Sequence, residues 1–237
     1  MPFVIPQPPV PAVAIAGTDD LFPVHRVYCV GRNYAEHARE MGHDPDREAP
    51  FFFQKSPDNL VAAAAPEGGD FPYPAQSDNV HCEIELVAAL SGGGTDIPKH
   101  KALDQVWGYA AGLDMTRRDL QGQAKKMGRP WDVGKAFEHS APIGLIHPVT
   151  ETGHLSEGRI WLNVNGETRQ DGNTRDMIFD IPTLIASLSE GLTLEPGDMI
   201  ATGTPSGVGY AMDPPRFLKD GDTVVCDISG IGTLSNT

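Results

Sequence analysis

The hydrophobic positions of this chain fall into short runs that glycine, proline and polar residues interrupt. Runs of this kind are typical of brief buried strands, and they occur at residues 26–31, 50–55, 107–113 and 194–201. A further strand is predicted to begin at His81 and to end before the glycines at 92–94. With 26 glycines and 21 prolines in the chain, we expect many short strands and turns, and more sheet than helix.

Helical patterns are fewer. The predicted helices cover residues 33–42, 101–106, 115–127 and 181–191. Asn33 is the predicted N-cap of the first helix and Gly42 its stop, because asparagine favours N-caps and glycine favours the position after a helix. Pro182 stands in the first turn of the last helix, where proline is tolerated. All four helices are short enough to flank a sheet rather than form a bundle.

Turn signals divide the remaining chain. Asn165-Gly166 predicts a hairpin tip within residues 160–170, since this dipeptide adopts the turn that joins two twisted strands. Residues 43–50 predict a loop, and residues 61–79 predict hairpins or irregular structure. Residues 1–16 alternate aliphatic residues with proline, which permits an edge strand or an extended arm but not a central strand. The C-terminal strands are expected to close the sheet.

Length and composition predict one domain. A chain of 237 residues is long enough for a single large core, and we place an N-terminal extension at residues 1–20 and a single domain at 21–237. Thirty-two acidic against 18 basic residues give a formal charge of −14, which disfavours nucleic acid and anionic membrane surfaces as partners.

Cellular location is predicted from the cysteines and the N-terminus. Cys29, Cys82 and Cys226 are widely spaced and odd in number, so neither a disulfide framework nor a zinc ribbon is indicated. The N-terminus lacks a basic start followed by an unbroken apolar run, and no later stretch is long and apolar enough to span a membrane. We expect a cytoplasmic protein with reduced thiols.

Three acidic residues are candidate metal ligands. Glu83 and Glu85 alternate on a predicted strand, which places both side chains on one face about 6.5 Å apart. Asp114 follows the strand at 107–113. An all-oxygen set without cysteine or clustered histidine suits a hard cation, so we predict Mg²⁺ or Mn²⁺. The alternative for Asp114 is an N-cap of the helix at 115–127.

Four other polar residues have two interpretations each. His37 and Glu40 stand three residues apart on a helix, and are therefore neighbours that form either a catalytic dyad or a solvated polar pair. Lys55 ends an apolar strand, where it either faces a substrate or reaches water. Lys135, flanked by small and apolar residues, is either a semi-buried cation at a pocket or a surface lysine.

The loop at residues 202–209 is rich in glycine, threonine and serine. Its hydroxyls and exposed backbone N–H groups are suited to holding a carboxylate, although the same sequence is typical of a tight corner in a barrel. The glycines at 92–94 match no phosphate-binding pattern, so no nucleotide is predicted.

Five separated blocks resemble motifs of the fumarylacetoacetate hydrolase family, in the family's order and spacing. They are residues 30–40, 83–86, 108–119, 128–135 and 202–209. The similarity runs from about residue 24 to the C-terminus, and within the family the chain looks most like the short fumarylpyruvate and acylpyruvate hydrolases. The resemblance implies an α+β fold with a mixed β-roll or barrel, short flanking helices and a homodimer.

The resemblance also implies roles for individual residues. It assigns the metal to Glu83, Glu85 and Asp114, makes the helix with His37 and Glu40 a lid that brings this dyad to the substrate, and turns Lys135 toward the substrate. Residues that it places near the bound acid are Arg118, Gln121 and Thr204. Arg32 and Lys55 complete the predicted substrate-binding set. Arg32, Arg117 and Arg129 are equal candidates for the second cation that a dicarboxylic substrate would need away from the metal.

The expected activity is metal-dependent hydrolysis of the C–C bond of a 2,4-dioxo acid, with fumarylpyruvate cleaved to fumarate and pyruvate in the breakdown of aromatic compounds. An alternative on the same scaffold is decarboxylation of oxaloacetate or isomerisation of an oxo-diacid, which needs no attacking water. A second alternative is a protein that binds metal or a small acid without catalysis.

Overall fold

The computed structural model describes residues 3–42, 44, 49–64 and 68–237. The strands within these ranges are Ala12–Ala14 (β1), Leu21–Pro23 (β2), Arg26–Gly31 (β3), Phe51–Lys55 (β4), Leu60–Ala62 (β5), Val80–His81 (β6), Ile84–Leu90 (β7), Val106–Leu113 (β8), Thr116–Arg117 (β9), Ala141–Ile143 (β10), His147–Pro148 (β11), Arg159–Val164 (β12), Glu167–Asn173 (β13), Asp198–Ala201 (β14), Val224–Ile228 (β15) and Gly232–Asn236 (β16). The α-helices are Ala35–Glu40 (α1), Lys99–Ala102 (α2), Arg118–Met127 (α3), Asp132–Lys135 (α4), Val149–Thr152 (α5) and Ile181–Gly191 (α6). None of these helices is long and apolar enough to cross a membrane.

A mixed eight-stranded sheet organises the molecule. Its strand order is β4-β3-β14-β7-β8-β10-β5, and β11 pairs with β8 beside this path. The pairs β14–β3 and β10–β5 are parallel and the other pairs are antiparallel. The sheet curls into a half-barrel with short helices around it, so the predicted α+β class with a mixed sheet is confirmed.

A second sheet of four strands, ordered β13-β12-β15-β16, packs on the first. Ile160, Leu162 and Ile228 of this sheet lie in one cluster with Leu86 and Ala88 of β7. The prediction that the C-terminal strands close the large sheet was therefore wrong, because β15 and β16 belong to the second sheet. They extend the predicted hairpin instead, because β15 pairs with β12 along five residue pairs.

The opposite face of β7 is covered by the N-terminal strands. Val13 of β1 and Phe22 of β2 lie in a second cluster with Val87 and Ala89. Strand β7 is thus buried on both faces, which explains its nearly continuous apolar sequence. Residues 3–10, by contrast, are exposed.

Helix α1 lies where a helix is predicted, but it is capped differently. It begins after Tyr34, and Asn33 is not its N-cap. The amide of Asn33 donates to the carbonyl oxygens of Phe179 and Thr202 at 3.0 and 2.8 Å, and it accepts from the Phe179 N–H at 2.8 Å. Asn33 therefore joins three segments, since partners remote in sequence compete with the local cap.

Two other boundaries differ from the prediction for one reason. Residues 80–81 and 116–117 pair as β6 and β9, so the strand expected from His81 is divided, and helix α3 begins at Arg118 rather than at 115. Asp114 consequently caps no helix. The hairpin prediction is confirmed, with Asn165 and Gly166 at φ 51° and 80°. Most of the loop predicted over 43–50 lies outside the described residues.

Candidate active site

Three buried carboxylates meet where β7 begins and β8 ends. The two strands are antiparallel, with Ile84 opposite Leu113, so the residues just before β7 lie beside those just after β8. The N–H of Asp114 donates to the carbonyl of Glu83 at 2.9 Å. One carboxylate oxygen from each of Glu83, Glu85 and Asp114 lies within 4.8 Å of the other two, and the three residues are at most 4% exposed.

Three buried cations lie against these acids. Lys135 Nζ donates to Glu83 Oε2 at 2.8 Å and to Asp114 Oδ2 at 2.5 Å. Arg118 donates to the other oxygen of Glu83. Lys55 Nζ lies 2.9 Å from Asp114 Oδ1 and donates to the carbonyl oxygens of Met115 and Lys135. Such pairing compensates the cost of burying charge, and removing one partner would leave the others uncompensated.

The two glutamates have opposite electrostatic environments. Burial favours the protonated form of Glu83, but the cations of Lys135 and Arg118 hold its pKa well below the usual range. Burial raises the pKa of Glu85 well above the usual range, and the negative charges of Asp114 and Glu83 raise it further. Within the described part of the chain, Glu85 accepts one hydrogen bond, from the N–H of Gly203 at 2.9 Å. Of the three acids, Glu85 is therefore the one that forms no ion pair with any described residue, although the charge of Lys135 partly offsets the rise in its pKa.

A divalent cation fits this set of donors. Glu85 has no cationic partner among the described residues, and the buried Oδ1 of Asp114 receives no hydrogen bond there, although the Lys55 ammonium is near it. A hard cation supplies the missing positive charge and accepts carboxylate oxygens as ligands. The residues that would hold it are Glu83, Glu85 and Asp114, and the oxygen-only donor set suits Mg²⁺ or Mn²⁺.

The His37–Glu40 pair faces the same centre from helix α1. His37 is 6% exposed, and its Nδ1 lies 3.2 Å from Glu40 Oε2. Glu40 in turn accepts from the N–H of Gly207 at 3.1 Å. Burial excludes the alternative of a solvated pair on a polar surface. The carboxylate fixes the imidazole when Nδ1 carries a proton, and Nε2 is then the ring nitrogen that is left to exchange a proton with a substrate or water.

The loop after β14 contacts both groups. Its Gly203 adopts φ 93°, and a Cβ there would lie 2.8 Å from the Cβ of Asn33, so glycine is required for the N–H to reach Glu85. Thr204 Oγ1 accepts from Gln170 Nε2 at 2.7 Å, while Gln170 Oε1 accepts from the N–H of Ile84 at 3.1 Å. Gln170 therefore links the loop to the first residue of β7.

A cleft with a cavity volume of about 40 Å³ opens over the acids. Its lining includes the predicted residues Arg32, His37, Glu83, Glu85, Asp114, Arg118, Gln121, Lys135 and Thr204. Lys55 is absent from this lining and contacts the acids from behind. Phe51, Phe53 and Trp131 form an aromatic wall, in which the Trp131 ring lies 5.7 Å from both phenyl rings.

One known protein family matches most of the chain. Residues 26–237 match the model for the fumarylacetoacetate (FAA) hydrolase C-terminal family. The chain belongs to this family. The match includes both sheets and every residue of the candidate site, so the fold and the resemblance expected from the five sequence blocks are confirmed.

Solved structures of family members resemble the chain over its whole length. The crystal structure of fumarylpyruvate hydrolase from Pseudomonas aeruginosa, in complex with Mn²⁺ and pyruvate, has 47% sequence identity and a TM-score of 0.93, and the alignment covers 99% of this chain and 98% of that protein. Mn²⁺ and pyruvate are, respectively, a hard cation and a 2-oxo acid.

Curated relatives of similar identity carry other activities in their names. Oxaloacetate tautomerase FAHD1 of Rattus norvegicus is 42% identical over 208 residues, which cover 88% of this chain and 89% of the relative. The oxaloacetate decarboxylase of Dictyostelium discoideum is 40% identical over 208 residues, covering 88% and 90%. The family thus includes hydrolases, tautomerases and decarboxylases of oxo acids at comparable distance from this chain.

Burial excludes one alternative for each of two lysines. Lys55 is 3% exposed beside Asp114 and does not reach water, and Lys135, also 3% exposed, is not a surface lysine. Gln170 was not predicted from the sequence, where it is part of the hairpin at residues 160–170. Lys125, which lines the cleft, was not predicted either; the signal was its spacing of four and seven residues from Gln121 and Arg118 along one helical face.

Proposed function

We propose that this protein is a divalent-metal-dependent hydrolase that cleaves a 2,4-dioxo acid, with fumarylpyruvate as its preferred substrate and fumarate and pyruvate as products. The observation that carries the proposal is the position of His37. This buried imidazole is oriented by Glu40 and lines the same cleft as Glu83, Glu85 and Asp114. Hydrolysis requires a proton acceptor beside the bound substrate, since water must be deprotonated as it attacks.

The 2-oxo acid end of the substrate binds at the acidic centre. Mg²⁺ or Mn²⁺ held by Glu83, Glu85 and Asp114 would supply electrostatic stabilisation to the enolate that forms when the C–C bond breaks. Lys135 and Arg118 contribute fixed positive charge at the same place. Gln121 accepts from Arg118 Nη1 at 2.9 Å and so fixes the guanidinium.

Hydrolysis begins at the carbonyl carbon in position 4 of the 2,4-dioxo acid. His37 accepts a proton from water as the oxygen adds to this carbon, and Glu40 stabilises the resulting imidazolium. The C–C bond then breaks, its electron pair passes into the pyruvate enolate, and the proton on His37 returns to the enolate carbon. The products are one carboxylic acid and pyruvate, so atoms and charge balance.

Closure of helix α1 over the substrate serves this chemistry. The contact between Glu40 and Gly207 holds His37 over the acids in the structure described here. Water is then excluded from the cleft, which strengthens each electrostatic interaction within it and protects the enolate. Thr204, in the same loop as Gly207, stands where it can donate to a carboxylate of the substrate.

A second candidate function is tautomerisation or decarboxylation of oxaloacetate. It is favoured by the names of the relatives at 40–42% identity. Both reactions use the same enolate stabilisation, but neither needs an attacking water. His37 would then only move a proton on the substrate, or would be dispensable.

Steady-state assays on fumarylpyruvate, acetylpyruvate and oxaloacetate with Mg²⁺ and Mn²⁺ test the proposal. We expect the highest kcat/KM on fumarylpyruvate, with fumarate and pyruvate in equal amounts and incorporation of solvent ¹⁸O into fumarate. Turnover of oxaloacetate alone would replace the hydrolase by the second candidate. Binding of metal and oxalate without turnover of any of the three would make the protein a non-catalytic binder.

A further inference from the structure

Lys125 projects from the helix that carries two residues of the acidic centre. Arg118, Gln121 and Lys125 of α3 are separated by three and four positions, so their side chains follow one another along one face. Arg118 and Gln121 are buried beside Glu83. Lys125 is exposed but lines the same cleft. The face of α3 therefore runs from the acids to the mouth of the cleft, and Lys125 stands at its outer end.

The aromatic wall holds the ammonium group of Lys125. Its Nζ lies 4.7 Å from the centroid of the Trp131 ring, an arrangement that fixes a cation without neutralising it. Among the described residues, no carboxylate forms an ion pair with Lys125. Within that part of the chain, the ammonium group is thus held against an aromatic ring without an ionic partner.

The charges around Lys125 are mostly positive. Its pKa is lowered to about 8, first by burial of the ammonium among cleft atoms and then by the cations of Arg118, Lys135 and Arg32. An anion placed beside Lys125 would relieve this repulsion, since opposite charge favours the protonated lysine. Among the described residues, the charged groups that act on Lys125 are thus three cations and one acid, Glu83.

We propose that Lys125 binds the carboxylate at the far end of the acyl chain and so makes the enzyme prefer dicarboxylic over monocarboxylic substrates. This inference rests on the proposed function, because it takes the 2-oxo acid end to lie at the acidic centre. The aromatic wall of Phe51, Phe53 and Trp131 then lines the unsaturated chain between the two ends, and Lys125 is a specificity residue that takes no part in proton transfer.

Two unreactive ligands of equal length test the binding step. Both 2-oxoheptanedioate and 2-oxoheptanoate carry the 2-oxo acid end, but only the first has a far carboxylate, and neither has the second keto group needed for cleavage. Calorimetric titration in the presence of Mn²⁺ gives both affinities. We expect the wild type to bind the dicarboxylate at least about tenfold more tightly, as a charge-assisted contact implies.

The matched variants are Lys125→Met, Lys125→Arg and Lys126→Met. The first keeps the length and packing of the side chain without its charge, and we expect it to lose most of the preference for the dicarboxylate. The second restores a cation and retains the preference. Lys126 is the exposed neighbour that does not line the cleft, so its variant keeps the wild-type ratio. Thermal unfolding confirms that all three are folded.

Measurements of turnover provide an independent test of the same inference. In Lys125→Met the ratio of kcat/KM for fumarylpyruvate to that for acetylpyruvate falls about tenfold, through KM for fumarylpyruvate. Equal affinity of the wild type for the two ligands, or equal loss for both in Lys125→Met, overturns the inference. If the wild type cleaves no 2,4-dioxo acid but its preference for 2-oxoheptanedioate still depends on Lys125, the proposed function fails and this inference stands.

Discussion

The acidic centre and the His37–Glu40 dyad lie in one cleft, but they are held in different ways. The acids sit at the ends of β7 and β8; Glu83 and Asp114 form ion pairs with Lys55, Lys135 and Arg118, in which every side chain is at most 8% exposed. The dyad stands on a helix of six residues and is tied to the body through one backbone N–H of Gly207. The sheet thus fixes the centre, whereas a loop contact fixes the dyad.

This difference separates binding from chemistry. Changes at the centre should abolish metal binding and activity together, while changes at the dyad should slow the reaction and leave metal binding intact. Variants in the two regions can therefore be distinguished by measuring both quantities on the same protein.

The largest effect is expected for Asp114→Asn. The substitution keeps the shape of the side chain but removes the charge that faces Lys55 and Lys135. We expect metal binding to be lost in calorimetry and kcat/KM to fall by at least about a thousandfold, because electrostatic stabilisation of the enolate disappears. Asp104→Ala, at an exposed acid that pairs with Lys101, serves as control. Retained metal affinity in Asp114→Asn would remove this residue from the ligand set.

His37→Ala should follow. We expect metal affinity within about twofold of wild type and a fall in kcat of at least about a hundredfold, the usual contribution of a general base. His100→Ala on α2, at an exposed histidine, should leave both unchanged. Full cleavage activity in the His37 variant would contradict the dyad mechanism and favour a reaction without attacking water.

Glu40→Gln should have a smaller effect. The amide oxygen can still accept from the Gly207 N–H, so helix α1 stays in place, but the negative charge that stabilises imidazolium is gone. We expect kcat to fall about tenfold with KM nearly unchanged. Glu36→Gln changes an exposed acid on the same helix and is the matched control. A loss of metal binding in Glu40→Gln would show that the two regions are coupled.

The smallest effect concerns pH at the mouth of the cleft. Burial of the ammonium is the main cause that lowers the pKa of Lys125 to about 8; the cations of Arg118, Lys135 and Arg32 lower it further, and Glu83 opposes them. A lowered pKa means that the ammonium is charged below about pH 8 and neutral above it. We therefore expect KM for fumarylpyruvate to rise severalfold between pH 7 and 9.5, and KM for acetylpyruvate to rise less. The same rise in Lys125→Arg, which stays charged, would contradict this assignment.

Local pattern was sufficient to predict much of this molecule. The strands, the hairpin at Asn165 and the acids at Glu83, Glu85 and Asp114 follow from alternation and turn chemistry, because these depend on neighbours in sequence. The family resemblance then suggested the roles proposed for the dyad and for Lys135. Neither the local pattern nor the family resemblance required knowledge of which strands are adjacent.

Contacts between remote segments could not be predicted in this way. Lys55 looks like a lysine at a strand end until β4 is known to lie beside β3, with Lys55 opposite Val27, where water is excluded. Asn33 looks like a helix cap until Phe179 and Thr202 are known to face it. In both cases a tertiary partner overrides a local preference, and the partner lies far away in the chain.

The anchoring of Asn33 has a mechanical consequence for helix α1. Its three hydrogen bonds fix the chain immediately before the helix, so an opening movement would pivot there, and displacement would increase with distance from that point. Glu40, at the far end of the helix, would travel further than Ala35 and would release Gly207 at the outset. The His37–Glu40 pair would thus lose its hydrogen bond to the loop before His37 left the cleft, so the Glu40–Gly207 contact would report whether helix α1 is closed.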